Sequence, residues 1–159
     1  MVRQYLTCQP TLERFQNALC FMDEKFVFKG YLDSFYSPVL ECRIFNPINQ
    51  IAVDIKLMID TGCFETIINK EIVDLLKLTK SKDISELGKG VNDISFKSAL
   101  YNCGICIGNK DKFISKQIQI AESESSFNYH GVVGTLFLNI FQLEFIYNPK
   151  SKEFFLNEL

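Results

Sequence analysis

Long apolar runs are missing from this sequence. No stretch approaches the ~20 consecutive apolar residues that a membrane-spanning helix needs. The N-terminus also lacks a basic segment followed by an apolar run, which is the pattern of a secretory signal. We therefore predict a cytoplasmic protein that has no membrane partner.

Tryptophan is absent, histidine occurs once, and the formal net charge is only -2. The lysines are scattered or lie in short loops such as residues 77–82, which predicts a solvated surface and no nucleic-acid partner. The hydrophobic fraction of 47% over 159 residues suits one globular domain. A domain of this size buries about 68–70% of the surface of its unfolded chain.

The six cysteines are spread too thinly for a small disulfide scaffold, and this fits reduced thiols in the cytoplasm. Cys103 and Cys106 do have the C-x-x-C spacing of a zinc half-site or a redox pair. Residues 100–107, however, are predicted as a strand, in which positions three apart point to opposite faces. Because there is no second C-x-x-C motif, we predict structural cysteines, no metal and no other cofactor.

The first 28 residues differ from the rest of the chain. Apolar residues at 12, 15, 19 and 22 recur at helical spacing after Thr11, which could cap the helix. This amphipathic helix could pack on the domain, cover a dimer edge or act as a removable pro-segment, and packing is favoured. We divide the chain into an N-terminal helical extension, residues 1–28, and a domain, residues 29–159.

From Gly30 onward the pattern changes to short strands separated by turn residues. Strands are predicted over 39–45, 51–59, 66–68, 100–107, 113–121, 143–147 and 152–156. Helices are predicted over residues 70–78, capped by Asn69, and over residues 135–141. Residues 79–93 read as a mobile hairpin or loop. Together these patterns predict a mostly β, barrel-like domain with two short helices.

The apolar strand 51–59 ends on Asp60-Thr61-Gly62, which places a carboxylate at a tight backbone turn. Alone, the tripeptide is also typical of an ordinary surface turn. Val132-Val133-Gly134-Thr135 repeats the pattern of two apolar residues, a turn residue and threonine, and a predicted helix follows it. Only the first copy carries an aspartate.

These two segments resemble the active-site turn and the second signature of retropepsin-like (clan AA) aspartic proteases, and are closest to small bacterial single-domain members. The likeness runs from about residue 30 to residue 156. It implies a closed β-barrel of the acid protease fold and an aspartic endopeptidase activity without a cofactor. The residues that it assigns to the site are catalytic Asp60, the turn residues Thr61, Gly62 and Cys63, and the second signature Val133, Gly134 and Thr135.

The resemblance also implies roles for the residues around Asp60. Thr61 would lock two turns across a dimer axis, and Gly62 would allow a close backbone approach. Cys63 stands where relatives usually have alanine or serine, and Leu136 stands where they often have aspartate or asparagine. Gly88 and Gly90 would belong to a flap between residues 85 and 99.

Aspartic proteolysis needs two carboxylates that share one proton, so that one activates water while the other donates to the scissile carbonyl. Each chain supplies one, Asp60, so the resemblance implies a homodimer that binds a polypeptide substrate in an apolar cleft. One alternative is a catalytically inactive retropepsin-fold module for dimerisation or peptide binding. Another is a β-barrel binding protein whose Asp-Thr-Gly is a surface turn. His130 is predicted to be a loop residue.

Overall fold

The computed structural model describes residues 27–89, 95–108, 112–124 and 129–159, and for residues 82–89 and 95–97 it describes the backbone alone. The helix predicted around residues 12–22 lies outside the described residues. The first strand begins at Val27, inside the segment that we assigned to the extension.

Ten strands and two helices make up the described part of the chain, which agrees with the mostly β prediction. The strands are β1 (Val27–Leu32), β2 (Pro38–Phe45), β3 (Ala52–Ile59), β4 (Ile67–Asn69), β5 (Thr79–Lys89), β6 (Ser95–Gly108), β7 (Phe113–Ser123), β8 (Gly131–Val133), β9 (Leu143–Asn148) and β10 (Glu153–Glu158). The helices are α1 (Lys70–Leu76) and α2 (Thr135–Phe141).

Six strands close into a barrel in the order β6, β7, β4, β8, β3, β2, and β2 pairs back onto β6. β1, β10 and β9 extend the sheet beyond β2, and β5 pairs with β6 outside the ring. In a barrel this small the interior is filled by side chains. The predicted closed β-barrel is confirmed.

Strand β3 leads directly to Asp60. Val53, Ile55, Leu57 and Ile59 are buried, and Leu57 has no exposed surface. The intervening residues point away from the core because successive side chains of a strand alternate between its faces. Asp60 follows this buried row directly and is exposed.

The long polar stretch after α1, predicted as a mobile hairpin or loop over residues 79–93, contains one arm of an antiparallel hairpin. Residues 79–89 form β5, which pairs antiparallel with β6 and contains register shifts. Among the described strands β5 pairs with β6 alone, and edge strands commonly carry charged and polar residues. Such a strand lacks the apolar alternation by which sequence reasoning finds strands.

The prediction that Asn69 caps α1 is wrong in its detail. Asn69 occupies the N-cap position but makes no capping bond from its side chain, and its amide instead donates to the carbonyl oxygen of Tyr129 at 3.1 Å. The helix also ends at Leu76, two residues early. The buried amide of Asn46 donates to the carbonyl oxygens of Leu76 at 3.0 Å and Lys77 at 2.8 Å, which satisfies the helix end.

The four cysteines that the structure describes are free thiols. Cys103 is fully buried and Cys106 only partly, so the two sulfur atoms of the C-x-x-C motif have different surroundings, as strand alternation predicted. Within the described residues, no helix is long and apolar enough to cross a membrane.

Candidate active site

The backbone of Asp60 is fixed on both sides of its side chain. Its amide donates to the carbonyl oxygen of Val133 at 3.0 Å, and its carbonyl oxygen accepts from the amide of Cys63 at 3.0 Å. The carboxylate is held as well, because Oδ1 accepts from the amide of Gly62 at 2.9 Å. An exposed carboxylate therefore stands in one defined orientation at the end of a buried strand.

Gly62 leaves little room for a side chain. A Cβ atom at this position would lie 3.1 Å from Oδ1 of Asp60, which is tighter than an ordinary contact. Thr61 and Gly62 are both exposed. Within the described part of the chain the Thr61 hydroxyl forms no hydrogen bond. Its predicted partner, a second copy of the turn, would be supplied only by another subunit.

The two sequence signatures are neighbours in the barrel. β8 lies between β3 and β4, and it pairs parallel with β3 through Met58 with Val132 and through Ile59 with Val133. The start of α2 then binds the loop that follows Asp60, since the amide of Thr135 donates to the carbonyl oxygen of Cys63 at 2.9 Å. The structure thus brings Asp60 and the second signature into direct contact.

Gly134 explains why this contact is so close. A Cβ atom at this position would lie 2.5 Å from the carbonyl oxygen of Phe64 and closer still to that of Glu65. The amide of Leu136, two residues after Gly134, donates to the same Phe64 oxygen at 2.9 Å. Leu136 therefore braces the loop through its backbone, although its side chain is apolar.

Cys63 behaves as a structural residue. Its thiol is half-buried and donates to the carbonyl oxygen of Glu65 at 3.2 Å. Burial raises its pKa, and the negative charges of Asp60 and Glu65 also raise it, while the hydrogen bond to Glu65 lowers it. Because a thiolate is the nucleophilic form, this environment keeps the sulfur unreactive at neutral pH.

A cavity of about 210 Å³ lies on the outward face of β3 and β8, beside Met58 and Val132. Asp33, Phe35 and Tyr129 also line it. Met58 is separated from Asp60 by Ile59 alone. The cavity wall and the proposed catalytic carboxylate are therefore close together along the chain.

Sequence reasoning missed the polar wall of this cavity. The hydroxyl of Tyr129 donates to Oδ2 of Asp33, and Oδ1 accepts from the amides of Phe35 and Ser37, each at 2.8 Å. These bonds, that from Tyr129 foremost, lower the pKa of Asp33. Asp33 and Tyr129 lie far apart in sequence, and neither loop contains a pattern that points to the other.

His130 contacts the backbone of β3. Its Nδ1 accepts from the amide of Lys56 at 3.0 Å, and its own amide donates to the carbonyl oxygen of Lys56 at 2.9 Å. This agrees with the prediction of a structural loop residue. Among the described residues, no three histidine, cysteine, aspartate or glutamate side chains gather as metal ligands would.

The predicted flap is only partly visible. Gly88 lies in β5, whose end pairs with the start of β6 through Leu87 with Phe96 and through Lys89 with Ser95. Gly90 lies outside the described residues. A hairpin therefore runs through this region, and its function as a flap stays a prediction.

No family model and no curated protein sequence matches the chain. Its fold is that of the retropepsin-like aspartic proteases. The structure is similar to that of a retropepsin-like aspartic protease from Rickettsia conorii, with a TM-score of 0.58 and 18% sequence identity. The match covers 85% of this chain and 92% of that one.

Two further solved structures match less well. EIAV protease matches with a TM-score of 0.42 and 17% identity over 65% of this chain and 86% of that chain. The retroviral protease-like domain of Ddi1 from Leishmania major matches with a TM-score of 0.36 and 16% identity over 68% of this chain and 79% of that chain. At these identities the likeness shows the fold alone.

Proposed function

We propose that residues 29–159 form one subunit of a homodimeric aspartic endopeptidase, and that residues 1–28 are an extension of it. The observation that carries the proposal is the fixed, exposed carboxylate of Asp60, bound by the Gly62 amide at the end of a buried strand. A binding module has no chemical need to hold a carboxylate in this way. We place the enzyme in the cytoplasm.

The chemistry follows from pairing two copies of Asp60 across a two-fold axis. Two adjacent carboxylates cannot both ionise easily, so they share one proton. The ionised one takes a proton from a bound water, which attacks the scissile carbonyl, and the protonated one donates to the carbonyl oxygen. Thr61, exposed beside Asp60, would bind the partner's turn.

The substrate is an extended polypeptide that lies across Asp60 and the cavity beside Met58. The β5/β6 hairpin, with Gly88 and Gly90, would close over it as a flap, since mobile loops commonly shield such sites from water. No residue in this scheme needs a metal or a cofactor.

The first test is cleavage of a denatured protein at mildly acidic pH by the wild type and by Asp60→Asn. We expect Asp60→Asn to abolish cleavage and Asp54→Asn to preserve it. Asp54 is a matched control because it lies on β3, the strand that leads to Asp60, is exposed and pairs with Arg43 at the surface. Equal cleavage by the wild type and Asp60→Asn would overturn the proposal.

A mixing experiment tests the shared site. If subunits exchange freely, a roughly ninefold excess of Asp60→Asn protein leaves about a tenth of the wild-type homodimers, and cleavage should fall in proportion. Unchanged activity would show that one subunit suffices. A wild-type protein that dimerises and binds peptides but never cleaves them would favour the alternative, an inactive dimerisation or peptide-binding module.

A further inference from the structure

The cavity beside Met58 has the size of a pocket for one side chain. Its volume of about 210 Å³ is below the roughly 300–1,000 Å³ of sites that hold a whole small-molecule ligand. Because its lining residue Met58 precedes Asp60 by two residues, a side chain bound in it would belong to a residue near the scissile bond. An extended strand advances about 3.3 Å per residue.

The walls of the cavity differ in chemistry. Met58, Val132 and Phe35 present apolar surface, which suits a long aliphatic stem. Asp33 also lines the cavity, and three neutral donors hold its carboxylate. An ionised carboxylate offers about four acceptor positions, so one remains for a ligand.

The charge of Asp33 is not balanced by a neighbouring cation. Among the described residues no lysine or arginine forms an ion pair with it. Lys56, two residues before Met58 on the outward face of β3, already pairs with Glu41 at 2.7 Å and donates to the hydroxyl of Tyr31 at 3.3 Å. Asp33 and Asp60 therefore make this part of the surface attractive to a cation.

We propose that this cavity is a specificity pocket for a lysine or arginine side chain of the polypeptide substrate, with Asp33 as the counter-charge at its end. The inference rests on the proposed function for its substrate, and it names the class of residue that the enzyme selects. The methylene groups would lie against Met58 and Val132, and the cationic head would bind the carboxylate of Asp33. Tyr129 is a positioning residue that orients this carboxylate.

Two variants separate charge from structure. In Asp33→Asn the remaining oxygen can still accept from the amides of Phe35 and Ser37, so the turn is kept while the charge is lost. In Tyr129→Phe the charge is kept and one acceptor position of Asp33 becomes free. The two variants should therefore act on selectivity in opposite directions, and their thermal unfolding is compared with that of the wild type.

The experiment measures binding of full-length Asp60→Asn protein, which does not cleave, to pairs of peptides that differ at one position. One peptide of each pair has lysine and the other norleucine, which has the same straight chain without the charge. We expect the lysine peptide to bind roughly tenfold more tightly at one position, since a charge-assisted hydrogen bond is gained. Adding Asp33→Asn should remove this preference, and adding Tyr129→Phe should preserve or increase it.

Equal affinity for both peptides at every position would overturn the pocket, and so would a preference that survives Asp33→Asn. Absence of binding to any peptide of the series would also overturn it. Cleavage by the wild type reports separately on the proposed function. If the wild type cleaves without favouring basic residues, the pocket fails and proteolysis stands; if the selective binding is present without cleavage, proteolysis fails and the pocket stands.

Discussion

The amide of Asp60 donates to the carbonyl oxygen of Val133 over 3.0 Å, so the proposed catalytic residue is tied by its own backbone to the last residue of β8. The two residues belong to the two separate sequence signatures. α2 follows immediately and holds the other side of the turn through the carbonyl oxygens of Cys63 and Phe64. Disturbance of either segment should therefore reach the carboxylate.

Gly134→Ala should destabilise the fold. The added methyl group would meet the carbonyl oxygens of Phe64 and Glu65. These backbone atoms cannot move aside as a flexible side chain can. Forcing extra atoms into such a site costs about 1–3 kcal/mol of unfolding free energy. Urea unfolding of both variants measures this, with Asn139→Ala, an exposed position of α2, as the control expected to stay within about 0.5 kcal/mol. Equal stability of the two variants would contradict the close approach.

Gly62→Ala should affect activity more than stability. Its methyl group would press on Oδ1 of Asp60 and displace the carboxylate by a few tenths of an ångström. Misplacement of about 1 Å can cost a hundredfold in rate, so we expect roughly a tenfold lower kcat. Steady-state kinetics and thermal unfolding should show a reduced kcat, an unchanged Tm and a similar KM. Lys150→Ala, in the exposed turn between β9 and β10, serves as the unaffected control; a fully active Gly62→Ala would exclude this constraint.

The buried thiol of Cys103 should make the fold sensitive to alkali. Burial raises the pKa of Cys103 from 9.0 to about 12. The folded pKa lies above the unfolded value, so the contribution of the protonated thiol to the free energy of unfolding is fully present below pH 9. It is lost as the pH rises towards 12. The expected loss is on the order of 1 kcal/mol per pH unit in this window.

Chemical unfolding at several pH values tests this sensitivity by comparing Cys103→Ala with Ile107→Val. Both variants remove buried atoms from β6, but only the first removes a titrating group. Cys103→Ala should flatten the decline of stability between pH 9 and 12, whereas Ile107→Val should lower stability equally at every pH. Parallel curves for the two variants would refute the assignment.

The barrel was predictable from the sequence because its strands contain a strong alternation of apolar and polar residues. The alternation from Ile51 to Ile59 predicted which face of β3 is buried. The helix predicted over residues 135–141 is α2, with the same bounds. These elements are local, and their side chains report directly on burial. The placement of Asp60 at the end of β3 followed from the same pattern.

Features that depend on contacts between distant segments were not predictable in this way. Strand β5 pairs with β6 although its sequence lacks an apolar alternation, and the side-chain amide of Asn69 donates to Tyr129 instead of capping its own helix. The bond between Tyr129 and Asp33 joins two loops that meet only when β1, β3 and β8 are assembled. No residue pattern within either loop predicts the hydrogen bond between Tyr129 and Asp33.

The pairing of β2 with β6 bears on how fast the chain can fold. Ile44 and Ile105 face each other across this closure although roughly sixty residues separate them, so the ring forms only after a long segment has been brought together. Proteins dominated by such distant pairings fold in milliseconds to seconds, whereas helical bundles fold in microseconds to milliseconds. Until that moment β2 and β6 expose unpaired edges, which makes the newly synthesised chain most prone to aggregation before the barrel closes.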